Sequence, residues 1–149
     1  MSRLSPESSR RRFFTVRFRL SDDELHAMTH LDGHHRFALG ATVQGEDGAT
    51  EGVGIARFAR VADTPDAAEV ALVVVDAYQR QGVGRTLLSR LAREGLARGI
   101  TRFRGSVLPD NDPMLRLLRR NAPGVRLVHV DGHLNVDVQL NARMGAYYA

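Results

Sequence analysis

Residues 67–97 read AAEVALVVVDAYQRQGVGRTLLSRLAREGLA, which is an apolar run, a glycine-bearing turn and a helix in direct succession. The run at 70–75, VALVVV, is mostly β-branched and suits a strand buried on both faces, central in its sheet. Gly82 and Gly84 let the backbone come close to a ligand. The helix beginning near Arg85 aims unpaired N–H groups and its positive dipole end at the same point. The guest such a site suits is a phosphate or pyrophosphate.

The rest of the composition narrows the class. A chain of 149 residues fits one domain and can bury a core without metals or disulfides. It has no cysteine, which removes disulfides, thiolate nucleophiles and thiolate metal sites. No apolar run approaches the ~20 residues that span a bilayer, and no signal-peptide core is present, so the expectation is a soluble, cytoplasmic protein with no membrane partner. All 21 basic residues are arginine, with a net charge of +4. They are scattered, apart from the runs at 10–12 and 119–120, and no nucleic-acid recognition motif accompanies them, so nucleic acid is disfavoured as a partner.

Working outward, residues 37–44 and 52–61 read as a hairpin through Gly45-Glu46-Asp47-Gly48, and 62–66 as a turn into the central strand. After the glycine turn the helix runs to about Arg98, with Gly99 ending it; Gly95 inside it implies close packing. Residues 101–108 form a strand parallel to the central one, because a helix of this length joins parallel neighbours. Asp112 as N-cap with Pro113 at N1 opens a second helix. Residues 125–131 and 133–140 make a hairpin through Asp131-Gly132.

On the N-terminal side, 1–12 and, at the other end, 141–149 read as tails. Residues 13–20 alternate as a half-buried strand, and 21–33 form a helix with a Ser21–Glu24 capping box. His26, His30 and His34 recur every four residues, but Gly33 takes His34 off the helix and no carboxylate or thiolate spacing joins them, so no metal is expected.

Three phosphate-binding patterns compete for Gln79-Arg80-Gln81-Gly82-Val83-Gly84. A Walker loop needs a lysine, and the chain has none. A dinucleotide fingerprint needs a third glycine where Leu87 stands. Gln79-x-x-Gly82-x-Gly84 after an apolar strand resembles the coenzyme A loop of the GNAT acetyltransferases. The order of elements around it, over 37–140, is similar to theirs. Within that family LSPESSRRRFF, LSDDELHAMTHLD and AEVALVVV resemble bacterial protein lysine acetyltransferases.

The resemblance implies an α/β (α+β) GNAT fold. Its sheet is mixed and mostly antiparallel, with a splay between the central strand and the next parallel strand and helices on both faces. It also implies one domain over 1–149 that begins inside the fold. Either the usual first strand is absent, which would leave an edge open to a homodimer partner, or residues 14–20 take its place.

For chemistry the resemblance implies an acetyl-CoA-dependent N-acetyltransferase acting on a primary amine, with protein lysine favoured and small-molecule amines open. Backbone groups of Leu72, Val73 and Val74 would bond the pantetheine arm. Those of Gln81, Gly82, Val83, Gly84 and Arg85 would hold the pyrophosphate, with Arg80 and Arg85 adding charge and Gln79 opening the motif. Glu69 matches the family's general base, and Asn111 an asparagine that contacts the cofactor. Where many relatives carry a tyrosine that protonates the departing thiolate, this chain has Leu118, which keeps open a non-catalytic coenzyme A-binding module.

Overall fold

Turn chemistry sets the strand pairing. Gly45 donates to the Ala49 carbonyl at 2.8 Å and Gly48 takes φ +80°, closing β1 (Arg36–Gln44) onto β2 (Thr50–Val61). Asp131 and Gly132 both have positive φ, 48° and 82°, the backbone of a type I′ turn, and they join β5 (Arg126–Val130) to β6 (His133–Gln139). Between β2 and β3 (Thr64–Val74) the connection is tighter than the sequence suggests. The expected turn at 62–66 shrinks, and Pro65 falls in an irregularity between the pairs Val61↔Thr64 and Arg60↔Ala68, where its missing N–H breaks no rung.

The computed structural model describes residues 32–75 and 78–146. Their six strands form one sheet in the order β1-β2-β3-β4-β6-β5, with β4 at Arg102–Val107. Only β3 and β4 pair in parallel among the described strands; β1–β2, β2–β3, β4–β6 and β5–β6 are antiparallel. The apolar run is therefore central, as expected.

Alternation sorts the sheet into two faces. Phe58, Ala68, Val70, Leu72, Phe103 and Val136 are buried on one face and share a cluster with Leu88 and Leu91 of α1 (Val83–Ala97) and Leu115 and Leu118 of α2 (Asp112–Asn121). Both crossovers, β3–α1–β4 and β4–α2–β5, move the same way along the sheet, so the right-handed rule puts both helices on one face. On the other face Ala67 is buried, Ala71 and Val73 are half-buried and Glu69 is exposed, so the burial expected on both faces is complete on one side and partial on the other.

Close approach explains Gly95. A Cβ there would stand 3.1 Å from the Phe103 ring and 3.4 Å from Leu140. Gly99, at φ +79°, ends α1 in a Schellman arrangement, with Ile100 N–H on Gly95 O and Gly99 N–H on Leu96 O.

Over 141–146 the C-terminal segment departs from the tail expected at 141–149, whose last three residues lie outside the described ones. Ala142–Ala146 form a short helix, α3, whose Met144 is 2% exposed in the core and whose Met144 carbonyl accepts a hydrogen bond from Ser89 Oγ at 2.5 Å. The strand expected at 13–20, most of the helix at 21–33, the tail at 1–12, and His26 and His30 lie outside the described residues. His34 stands exposed in the bend before β1. Among the described residues no helix is long and apolar enough to cross a membrane.

Candidate active site

The parallel ladder is short. It runs Ala67↔Arg102, Ala68↔Phe103, Glu69↔Arg104, although β3 continues to Val74 and β4 to Val107. Beyond Glu69 the two strands splay, as expected. Antiparallel pairing with β2 then decides which backbone groups enter the opening. Val75 donates to Val53 O at 2.8 Å, so the alternation gives Val73 to Ile55 and turns the N–H and C=O of Leu72 and Val74 away from β2 and into the splay. Of the three residues expected to offer backbone groups, Leu72 and Val74 are placed to do so. Val73 is the correction, because its hydrogen-bonding groups belong to the β2 ladder.

The loop after β3 is tied to that opening. Gln79 Nε2 donates to Val74 O at 3.1 Å, which fixes the first residue of the motif as a strap on the strand end. Arg80 takes φ +64° and Gly82 φ +84°, and α1 begins at Val83, two residues before the Arg85 the sequence suggests. Thr86 closes the first turn with both its N–H and Oγ1 on Gly82 O, at 3.0 and 2.9 Å. The N–H groups of Val83, Gly84 and Arg85 thus precede the first intrahelical bond. Gly82 supplies no side-chain cap, and no acidic residue stands in the first turn.

The two glycines do different work. At Gly82 a Cβ would meet nothing within 4 Å, so the residue is needed for its left-handed backbone. At Gly84 φ is unremarkable, but a Cβ would lie 3.3 Å from Leu117 Cδ2 and 3.7 Å from Val74 Cγ2, so the absent side chain lets α1, α2 and β3 meet. Gln81, Arg80 and Arg85 are exposed around this helix end.

Glu69 sits at the last paired rung, exposed on the polar face. A groove of about 480 Å³ opens beside it, running over Arg104 and Ser106 to Asn135, Arg126 and Val128. Cross-strand register aligns Glu69, Arg104, Asp137 and Arg126 in one row of alternating charge. Arg102 holds Asp137 in a two-pronged ion pair, which raises the Arg102 pKa through that hydrogen bond first and the carboxylate's charge second. Sequence reasoning missed Arg104, Arg126 and Asn135. Their alternation marks them as one face of their strands, but only the order β4-β6-β5 brings them together.

Asn111 is buried at 4% and its Oδ1 accepts from Met114 N at 3.2 Å. It, rather than Asp112, is the N-cap of α2, a one-residue correction; Asp112 opens the helix with Pro113 behind it. Leu118, at the position of the family's tyrosine, is 4% exposed in the core. Tyr147 and Tyr148 lie outside the described residues.

Comparison with known proteins agrees with this geometry. The profile of the Acetyltransferase (GNAT) family matches residues 5–122. The chain belongs to the GNAT acetyltransferase family. Among solved structures it is similar to the GNAT domain of S. lividans PAT, at 35% identity and TM-score 0.80 over 93% of this chain and 80% of that one. It is also similar to a cAMP-binding acyltransferase from Mycobacterium smegmatis, at 28% identity and TM-score 0.69 over 96% of this chain but only 43% of that longer protein. YncA of Salmonella typhimurium, a putative acetyltransferase solved with acetyl-CoA, shares the fold at 20% identity and TM-score 0.64, over 87% of this chain and 79% of that one.

Proposed function

We propose that the chain is an acetyl-CoA-dependent N-acetyltransferase whose acceptor is a primary amine, with a protein lysine side chain favoured. The observation that carries this reading is the end of the β3–β4 ladder at Glu69. That carboxylate, the inward-turned backbone of Leu72 and Val74, and the uncapped start of α1 all lie along one opening. The 35% identity with the S. lividans GNAT domain supports it.

The uncapped start of α1, with the exposed Arg80 and Arg85 beside it, suits an anionic ligand, and acetyl-CoA when bound supplies an activated acyl group and a thiol leaving group. The N–H groups of residues 81–85, with the positive end of α1, hold the pyrophosphate, and Arg80 and Arg85 add screened surface charge. Leu72 and Val74 bond the pantetheine arm as a neighbouring strand would, and the Val74 N–H polarises the carbonyl. Gln79 Nε2 holds the Val74 carbonyl at the loop end of the splay, which leaves the Val74 N–H to face the opening. Asn111 pins the start of α2 beside the splay, its cap hydrogen bond being its first task.

A lysine ammonium has a pKa near ~10.4 and cannot attack while charged. Glu69, exposed at the mouth of the groove, accepts its proton through water. The buried Leu118 provides no acid for the thiolate, and that same residue favours the second reading, a coenzyme A-binding module without turnover. Thiol release from acetyl-CoA across a panel of amines and lysine peptides separates the two: catalysis predicts amine-dependent release, and coenzyme A binding without release supports the module.

A further inference from the structure

The polar groove beside Glu69 carries two arginines that the proposed chemistry does not use. Among the described residues neither Arg104 nor Arg126 makes an ion pair, whereas Asp137 between them is held by Arg102. The row Glu69, Arg104, Asp137, Arg126 crosses four adjacent strands. At ~4.8 Å per strand, Arg104 stands ~5 Å and Arg126 ~14 Å from Glu69. Between and around them are Ser106 and Asn135, able to hydrogen-bond a peptide backbone, and Val128, 53% exposed, a large apolar side chain at the surface of the edge strand. The net field of this groove beyond Glu69 is positive, apolar at one spot and hydrogen-bonding along its length.

Resting on the lysine-acetyltransferase reading, we propose that this groove selects acceptor lysines in acidic sequence surroundings, with Arg126 and Arg104 receiving carboxylates of the acceptor chain. With the lysine amine at Glu69, the acceptor backbone lies part-way along the row. At ~3.4 Å per extended residue, an aspartate or glutamate within about three residues of the lysine reaches Arg126. A cationic acceptor such as a polyamine meets two unpaired guanidiniums and is disfavoured. The charge-assisted contacts are solvent-facing, so their effect is moderate and sensitive to salt.

The test compares kcat/KM for peptides of one length, each with a single lysine flanked by glutamate, alanine or arginine, together with spermidine and glycine. Glutamate-flanked peptides should exceed arginine-flanked ones by roughly tenfold at low salt, a gap that narrows at high salt. Arg126→Glu should invert that ranking, and Arg104→Gln should shrink it; the Gln variant keeps the question open to refutation if charge reversal disturbs the edge strand. Equal rates for all flanks, or a preference for arginine flanks in the parent chain, overturn the groove assignment and leave the lysine reading standing. Turnover of spermidine or glycine with no turnover of any peptide overturns both.

Discussion

Replacing Gly82 by alanine separates the backbone requirement of the loop from everything else about it. The residue sits at φ +84°, ψ 1°, and a Cβ there meets no atom within 4 Å, so no steric clash enters the cost. What remains is the left-handed conformation, about 1–2 kcal/mol for an ordinary L-residue and less for asparagine. For a domain of this size that is a fall in Tm of about 2–8 °C. If the loop instead relaxes to negative φ, the strain is relieved but the first N–H groups of α1 swing off the splay. The loss of an anion contact at a helix N-terminus, ~0.5–2 kcal/mol, then raises the coenzyme A Kd by roughly 2- to 30-fold. Thermal unfolding and calorimetric titration of coenzyme A read the two consequences together, with Gly82→Asn expected between parent and alanine. A Gly82→Ala protein that melts with the parent and binds coenzyme A equally well would refute the assignment of this backbone to the pyrophosphate.

Other perturbations follow from single contacts. Asn111→Ala removes the cap on Met114 N at a buried position and should cost about 1–2 kcal/mol in chemical unfolding, with Asn111→Asp retaining most of the stability. At the start of β1, the N–H groups of Arg36 and then His34 hold the exposed Asp32 carboxyl down from 3.8 to about 2, with His35 donating at 2.7 Å. Because its folded pKa is the lower one, this contribution is complete above the unfolded value and disappears as pH falls from about 4 to about 2. Carboxyl NMR should show a midpoint well below that of an exposed aspartate, and an ordinary midpoint would contradict the turn geometry.

Legibility in the sequence followed the range of the interactions. The central strand, the Asp131-Gly132 turn and the glycine loop were readable because each rests on residues within a few positions of one another. Gly95 could be read as a packing glycine, though its partner Phe103 could not be named. What escaped depends on distant contacts. The α3 helix is short, and its anchor is Met144 against Ser89, 55 residues away, which no local pattern announces. The choice of Asn111 over Asp112 as cap turns on one residue of register between two good capping side chains. Val73 looked equivalent to its neighbours, and only pairing with Ile55 shows that its backbone is taken. The row from Glu69 to Arg126 needed the sheet order, in which β6 intervenes between β4 and β5.

The role of Glu69, at the end of the β3–β4 ladder, as the base for amine acetylation can be read from thiol release from acetyl-CoA with Glu69→Gln beside the parent. The parent should release thiol in an amine-dependent way, and the variant should show a kcat lower by roughly 10²–10⁴-fold with coenzyme A affinity retained and the acid-side fall in rate altered. Equal turnover by Glu69→Gln, with the same pH profile, would contradict it.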